Sequence, residues 1–421
     1  MTFPNNQNYI TMSKTNRKIS FVILILAICI FSCTSDEKKV QEKIDSLQVH
    51  QEKQSESHKQ EISDIPDSAQ IQEIIIPEKI PYPDFTRGIY LSGFTVGYNN
   101  YETVLDSAES TGINTVIFDL KDMKGNIFFA FEESDPIRNK RISPIIDIPD
   151  FVEILHKRNM RAVARIVMFH DRYVAKRDSL IRPHKSDGTV WQENRKGKPS
   201  WLDPSHSEVQ KELLRIIEVV AQKGVDEIQL DYIRFPTQGK ISEAIFQFQK
   251  EDSLLAIADS NYVFRTKSDI IEKFLKQAKE ICLKYDITLT GDIFAIVAWQ
   301  RKIDISNTGQ EISKMTKYLD AIHPMIYSSH FSKDFGFREK IYDEPYFIVF
   351  KGTKLTQKYS NKNCKVISYI QANKWKVKFK PEFIYAQIQA VNDLNADGYI
   401  LWNAANKYFD SLRWIREHKN L

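Results

Sequence analysis

A small set of charged side chains placed near the ends of apolar runs carries most of the chemistry this chain could do. Asp231 and Arg234 stand in the stretch Asp231-Tyr232-Ile233-Arg234-Phe235-Pro236, Asp292 lies in the run Thr288–Ile296, and Asp119 and Lys121 lie in Asn114–Asp122. Two carboxyls flanking a bond, one protonated and one ionised, can cleave a glycosidic linkage without metal or cofactor. Asp231 suits the nucleophile or charge stabiliser of such a pair and Asp292 the acid/base, with Glu193 as the fallback acid. Arg165 sits midway along its own run, where an unpaired guanidinium would be costly, so it should pair with Asp119 or Asp231. His170, His323 and Tyr327 are hydrogen-bonding candidates for hydroxyl-rich substrates. Trp191, Trp201, Trp299 and Trp402 could stack on sugar faces, and at most two of them should line a site. For each acid the competing structural role is a buried Asp–Arg–Lys network that satisfies itself, and it weighs most for Asp119. Asp203, before Pro204, reads as a helix N-cap.

These residues need a frame. β-Branched and aromatic runs predict strands at Arg87–Phe94, Asn114–Asp122, Arg161–Phe169, Glu227–Phe235, Thr288–Ile296, Ala321–Tyr327, Lys365–Gln371 and Gly398–Trp402. Helical patterns fall between them, at Tyr101–Thr111, Asp150–Asn159, Ser205–Lys223, Thr266–Tyr285, Gln310–Tyr318, Glu344–Tyr359, Pro381–Asn395 and Phe409–His418. The alternation predicts an α/β fold, a (β/α)8 TIM barrel, with a doubly wound open sheet as the alternative. Helix-to-strand links are short, whereas several strand-to-helix links are long, as in a barrel with an elaborated upper face. Period-2 alternation turns Asp119, Lys121, Arg165, Gln229, Asp231, Thr290, Asp292, His323 and Tyr327 toward the axis. A barrel interior built only for stability would favour Val, Ile and Leu there. Cys282, at helical spacing with Ile271, Phe274, Leu275 and Ala278, reads as core.

The chain has 421 residues, 42% hydrophobic and 12% aromatic, which excludes global disorder. Its 59 Lys and Arg against 55 Asp and Glu give a net charge of +4, too little to argue a nucleic-acid partner. The 4 cysteines include no C-x-x-C pair. No Gly-rich phosphate loop, H-E-x-x-H or G-x-S-x-G occurs, so no metal and no cofactor is expected. Lys14, Arg17 and Lys18 precede an apolar run from Ile19 to Phe31 that ends at Ser32-Cys33. This resembles a bacterial lipoprotein signal, although Phe31 is larger than the usual residue. It implies lipidation at Cys33 and a membrane-anchored protein of the cell envelope. The expected organisation is a signal over 1–33, a disordered tether over 34–84 and the barrel over 85–421.

The segments Arg87-Gly88-Ile89-Tyr90-Leu91, Val116 to Asp122, Trp201-Leu202-Asp203-Pro204 and Asp226 to Pro236 resemble an uncharacterised bacterial family of glycoside hydrolases. The Asp231-Tyr232-x-Arg234-Phe235-Pro236 stretch is the most specific part of the match. The resemblance implies a barrel related to α-amylase- and chitinase-type glycosidases, which also place an acid at the end of strand four. Unlike most of those enzymes, this chain has no Glu at an inward strand end. The expected protein is a lipid-anchored glycoside hydrolase acting on an envelope or extracellular polysaccharide. Asp231 and Asp292 would be catalytic, and Asp119, Lys121, Arg165, His170, Arg234, His323, Tyr327 and Trp402 would bind substrate. The rivals are a catalytically inactive glycan-binding barrel and an envelope scaffold.

Overall fold

The computed structural model describes residues 78–132, 141–193, 198–332, 334–337 and 339–418. Eight parallel strands close on themselves in chain order: β1 Thr86–Leu91, β2 Thr115–Lys121, β3 Arg161–Val167, β4 Glu227–Asp231, β5 Thr288–Ile293, β6 Ala321–Pro324, β7 Lys365–Gln371 and β8 Gly398–Trp402. Pairing of β8 with β1, Gly398 opposite Thr86, seals the barrel and excludes an open sheet. At that seam a Cβ on Gly398 would lie 2.2 Å from the Thr86 carbonyl oxygen, so only glycine fits.

One helix follows each strand: α1 Glu102–Glu109, α2 Ile148–His156, α3 Ser207–Ala221, α4 Lys267–Lys284, α5 Ile312–Met315, α6 Pro345–Tyr359, α7 Pro381–Asn392 and α8 Phe409–Glu417. Further short helices, such as Arg172–Arg177 and Gln247–Ala258, sit in the long links above β3 and β4. The main core lies between strands and helices. Ile228 and Leu230 of β4 share it with Val209, Leu213, Ile216, Ile217 and Val220 of α3 and the apolar stripe of α4, and Phe118 of β2 packs edge-on to Phe151 of α2. Each such fully buried aliphatic contributes about 1.5–3 kcal/mol. Cys282 belongs to this core, and burial pushes its thiol up to about 12. A second cluster, with Tyr90, Ile117, Val163, Ile367, Tyr369 and Ile400, fills the barrel axis.

Two local expectations change. Asp203 is not the cap of α3; His206 is, accepting from the Glu208 N–H. Asp203 instead accepts from the Ser205 N–H and hydroxyl and, through its other oxygen, from the Gln247 N–H, pinning the loop above β4 to the start of α3. The chain between Glu78 and Asp84 is not tether but a plug under the barrel. Ile80 N–H donates to Asp226, Arg161 donates to the Ile80 carbonyl at 2.6 Å, and the Arg161 guanidinium covers the Tyr82 ring at 4.6 Å. Cys33, the apolar run before it and the tether up to residue 77 lie outside the described residues. No helix among the described residues is long and apolar enough to cross a membrane.

Candidate active site

The upper end of the barrel interior is organised around one guanidinium. Arg165, at the inward register of β3, is buried and forms ion pairs with Asp119 on β2 and Asp231 on β4, and its Nε lies 3.8 Å from Asp292 on β5. The rings of Tyr90 and Trp402 lie over it at 5.5 and 5.6 Å. Tyr90 donates to Asp119 at 2.5 Å. Burial raises the Asp119 carboxyl, and Arg165 and the Tyr90 hydroxyl oppose that shift.

Asp231 ends β4, and the chain turns sharply after it. Tyr232 takes a left-handed conformation (φ 51°), and its N–H bends back to donate to Asp231 at 2.5 Å. Such a backbone costs a non-glycine residue about 1–3 kcal/mol and persists only where the surroundings impose it. Gln310 imposes part of it: buried between the two strand ends, its amide donates to the Ile233 and Asp292 carbonyls and accepts from the Phe294 N–H. The tops of β4 and β5 are thereby held in one geometry.

Asp292 is enclosed almost completely, and Gln229 donates to its Oδ1 at 2.6 Å. Burial drives its carboxyl well above the ordinary carboxylate range, the Asp231 charge raises it further, and Arg165 opposes both. Its Oδ2, the Arg165 Nε and the Tyr327 hydroxyl are buried without a hydrogen-bond partner. Buried polar atoms are seldom left unpaired, and three of them at one strand-end cluster mark a place where a polar ligand would be held. A cavity of about 220 Å³ opens above them, lined by Asp231, Tyr232, Arg234, Thr237, Gln238, Asp292, Phe294, Ala295, Gln310, Met325, Tyr327 and His330. Among the described residues no group of three or more His, Cys, Asp and Glu side chains could hold a metal ion.

The structure sorts the other sequence candidates. Arg234 and Tyr327 line the cavity with the two acids. Asp119 and Arg165 do not line it; they reach it through the ion pair of Arg165 with Asp231. Trp402 stacks on Tyr90 (centroids 4.1 Å apart) and faces Tyr327 at 6.1 Å. His170 packs against Trp201 and Tyr232, and its ring nitrogen bonds the Met123 carbonyl. Burial lowers it to about 4, so it is neutral near pH 7 and its Nδ1 donates.

Lys121 is not brought to the site. The register with β3 slips between Asp119 and Lys121, breaking the alternation, and the ammonium group is fully buried beside Asp171 at 3.2 Å and the Val167 carbonyl. His323 faces inward but lower down, where strand tilt staggers register against height. It bonds the Ile367 carbonyl and lies 3.8 Å from Glu227. Glu227 is an inward Glu, but at the bottom end of β4, held by Arg161 and Thr290. Glu193 cannot stand in as the acid: its Oε1 accepts from the Ser200 N–H and hydroxyl and from the Trp201 N–H. Trp191 is core, and Trp299 packs on Phe331 and Phe335. Tyr90 and Tyr369 were legible from alternation on β1 and β7. His330, Phe294 and Trp375, which lies against His330 at 5.1 Å, sit on loops that carry no periodic signal.

A closed (β/α)8 barrel that carries two acids at the C-terminal ends of neighbouring strands places them where such barrels hold their active sites, and two carboxyls so placed are what glycoside hydrolysis requires. The family model described as "Putative glycosyl hydrolase domain" matches residues 88–408, and the chain belongs to that family. Among curated proteins no sequence matches it significantly. Similar solved structures include the following three. A hypothetical protein from Ruminiclostridium thermocellum is 26% identical, over 48% of this chain and 96% of its own, with a TM-score of 0.39. The PgaB (BpsB) glycoside hydrolase domain from Bordetella bronchiseptica is 13% identical over 79% of this chain and 98% of its own, with a TM-score of 0.57. The catalytic domain of the beta-amylase from Paenibacillus polymyxa is 9% identical over 80% and 98%, with a TM-score of 0.52. At such identities the last two testify to the fold.

Proposed function

We propose that this protein hydrolyses glycosidic bonds of an envelope or extracellular polysaccharide with Asp231 and Asp292, and that a lipid on Cys33 anchors it to the membrane. The observation that carries the catalytic part is that the two carboxyls share Arg165 and line one cavity, and that burial drives Asp292 strongly toward its protonated form. A buried carboxyl that tends to keep its proton is suited to act as the general acid.

Asp292 donates its proton to the glycosidic oxygen as the bond to the anomeric carbon breaks. Asp231, oriented by Arg165 and the Tyr232 N–H, faces the positive charge that develops on the sugar, as nucleophile or as stabiliser. Water then adds at the anomeric carbon, and the Asp292 carboxylate recovers a proton from it. Tyr327, with its unpartnered hydroxyl, contacts the sugar, and Trp402 bounds the mouth. Arg165, Asp119, Gln229 and Gln310 are positioning residues.

The test is Asp231→Asn, assayed on a panel of bacterial and plant polysaccharides and chromogenic glycosides. Turnover is expected to vanish while circular dichroism shows the barrel still folded, with some loss of thermal midpoint from the weakened pairing of Arg165. Unchanged turnover rejects the assignment. Glycan binding without hydrolysis by the unmodified protein would instead indicate a binding barrel.

A further inference from the structure

Arg234 differs from the other arginines inside the barrel and its mouth. Arg161 and Arg165 each face a carboxylate. Arg234 makes no ion pair among the described residues, although the Asp231 charge acts on it from within the cavity they share. Its guanidinium lies 4.8 Å from the Trp201 ring, 4.9 Å from Phe294 and 5.3 Å from Tyr232. Only Nη1 is engaged, donating weakly to the Phe235 carbonyl at 3.2 Å and the Thr237 hydroxyl at 3.3 Å. Three aromatic faces thus fix the plane of a cation while leaving donors of the fork uncommitted.

Cation–π contacts offset part of the cost of desolvating a guanidinium, about 0.5–2 kcal/mol each, but they satisfy none of its N–H groups. A planar fork fixed in this way is suited to bidentate recognition of a carboxylate, sulfate or phosphate, which a lysine would hold only as a point charge. Arg234 also lines the cavity that holds Asp231 and Asp292, so whatever it binds is part of the molecule being processed or lies beside it. Burial holds its guanidinium below the ordinary arginine range, and the Tyr232 hydroxyl and the Asp231 charge offset this only in part.

Building on the glycosidase reading, we infer that the substrate is an anionic saccharide, whose acidic substituent binds the open edge of Arg234 beside the catalytic pair. The acid group completes the ion pair that the protein leaves unmade, and it positions the neighbouring sugar over Asp231. A purely neutral glycan would leave the charge uncompensated.

Two arms test this, each with wild type, Arg234→Met and Arg234→Lys. In the first, sulfate is titrated at constant ionic strength against chloride, and the thermal midpoint is followed. Sulfate should raise the midpoint of wild type more than that of Arg234→Met, with Arg234→Lys between them. Equal rises in all three proteins overturn the anion site. This arm needs no glycan, so it stands apart from any failure of the glycosidase reading. In the second arm, calorimetry compares uronic-acid oligosaccharides with their carboxyl-reduced neutral counterparts, and sulfated and phosphorylated oligosaccharides with the unsubstituted chains. At least one anionic series should bind wild type ten-fold or more tightly than its neutral counterpart, and Arg234→Met should erase the difference. The series that responds names the acid group. Equal affinity for anionic and neutral chains, or an equal loss for both in Arg234→Met, overturns the substrate class.

Discussion

Asp292→Asn separates the proposed chemistry from a structural role for this acid. Asn keeps the shape and the acceptor for Gln229 but cannot deliver a proton. Removing a general acid typically costs 10²–10⁴-fold in rate, or about 2.7–5.5 kcal/mol of barrier. The loss should shrink for glycosides with good leaving groups, which need little protonation. Stability gives an independent reading. The native carboxyl binds its proton more tightly than the unfolded chain does, because burial and the Asp231 charge raise it. Between the ordinary carboxylate range and the raised native value, the native state therefore holds one more proton than the unfolded state. Wild-type stability must then fall as pH rises through that window, by up to about 1.4 kcal/mol per pH unit. Asp292→Asn lacks this slope, so the two proteins should differ least at acidic pH, and the variant should gain on wild type toward alkaline pH. Urea denaturation at a series of pH values measures the slope, and turnover on activated and unactivated glycosides measures the chemistry. The alkaline limb of the wild-type rate profile should follow the same proton. Identical stability slopes in the two proteins would refute the protonated Asp292. Undiminished turnover would remove it from the mechanism, and Glu193 could not replace it, since its Oε1 is fully engaged in the loop.

Arg165→Met leaves Asp119 and Asp231 buried without their counter-charge and should destabilise the fold by about 3–5 kcal/mol. The deficit should shrink as pH falls and the carboxyls protonate, and adding Asp119→Asn should recover part of it in denaturant titrations. Tyr82→Ala opens the barrel floor and should cost about 2–3 kcal/mol with kcat unchanged, because the plug lies at the opposite end from Asp231; an altered kcat would tie the plug to the site. Cys33→Ala should leave an uncleaved precursor with no lipid adduct by intact mass, and a mature wild-type protein beginning at another residue would reject the anchor.

Much of the frame was legible in the sequence, because strand runs, helical stripes and short helix-to-strand links are local signals. β7 and β8 begin and end where the apolar runs do, and the inward set of β4 and β5 follows from period 2. The strands end earlier at the top than the apolar runs do, because the residues after Asp231 and Ile293 leave the sheet, and Ile233 and Phe235 pack into the main core instead. What alternation cannot supply is what neighbouring strands do to each other. The slip after Asp119 that removes Lys121 from the interior depends on β3. The height of His323 depends on the tilt of the whole barrel. The Asp203 loop lock depends on Gln247, 44 residues away. The sequence by itself determined the barrel, its acids and which face of each strand carries them, because these rest on periodicity and residue type. Only the tertiary structure decided that one arginine gathers Asp119, Asp231 and Asp292, that burial pushes the Asp292 carboxyl upward, and that Arg234 makes no ion pair among the described residues. Charge pairing and desolvation are properties of residues brought together from distant parts of the chain.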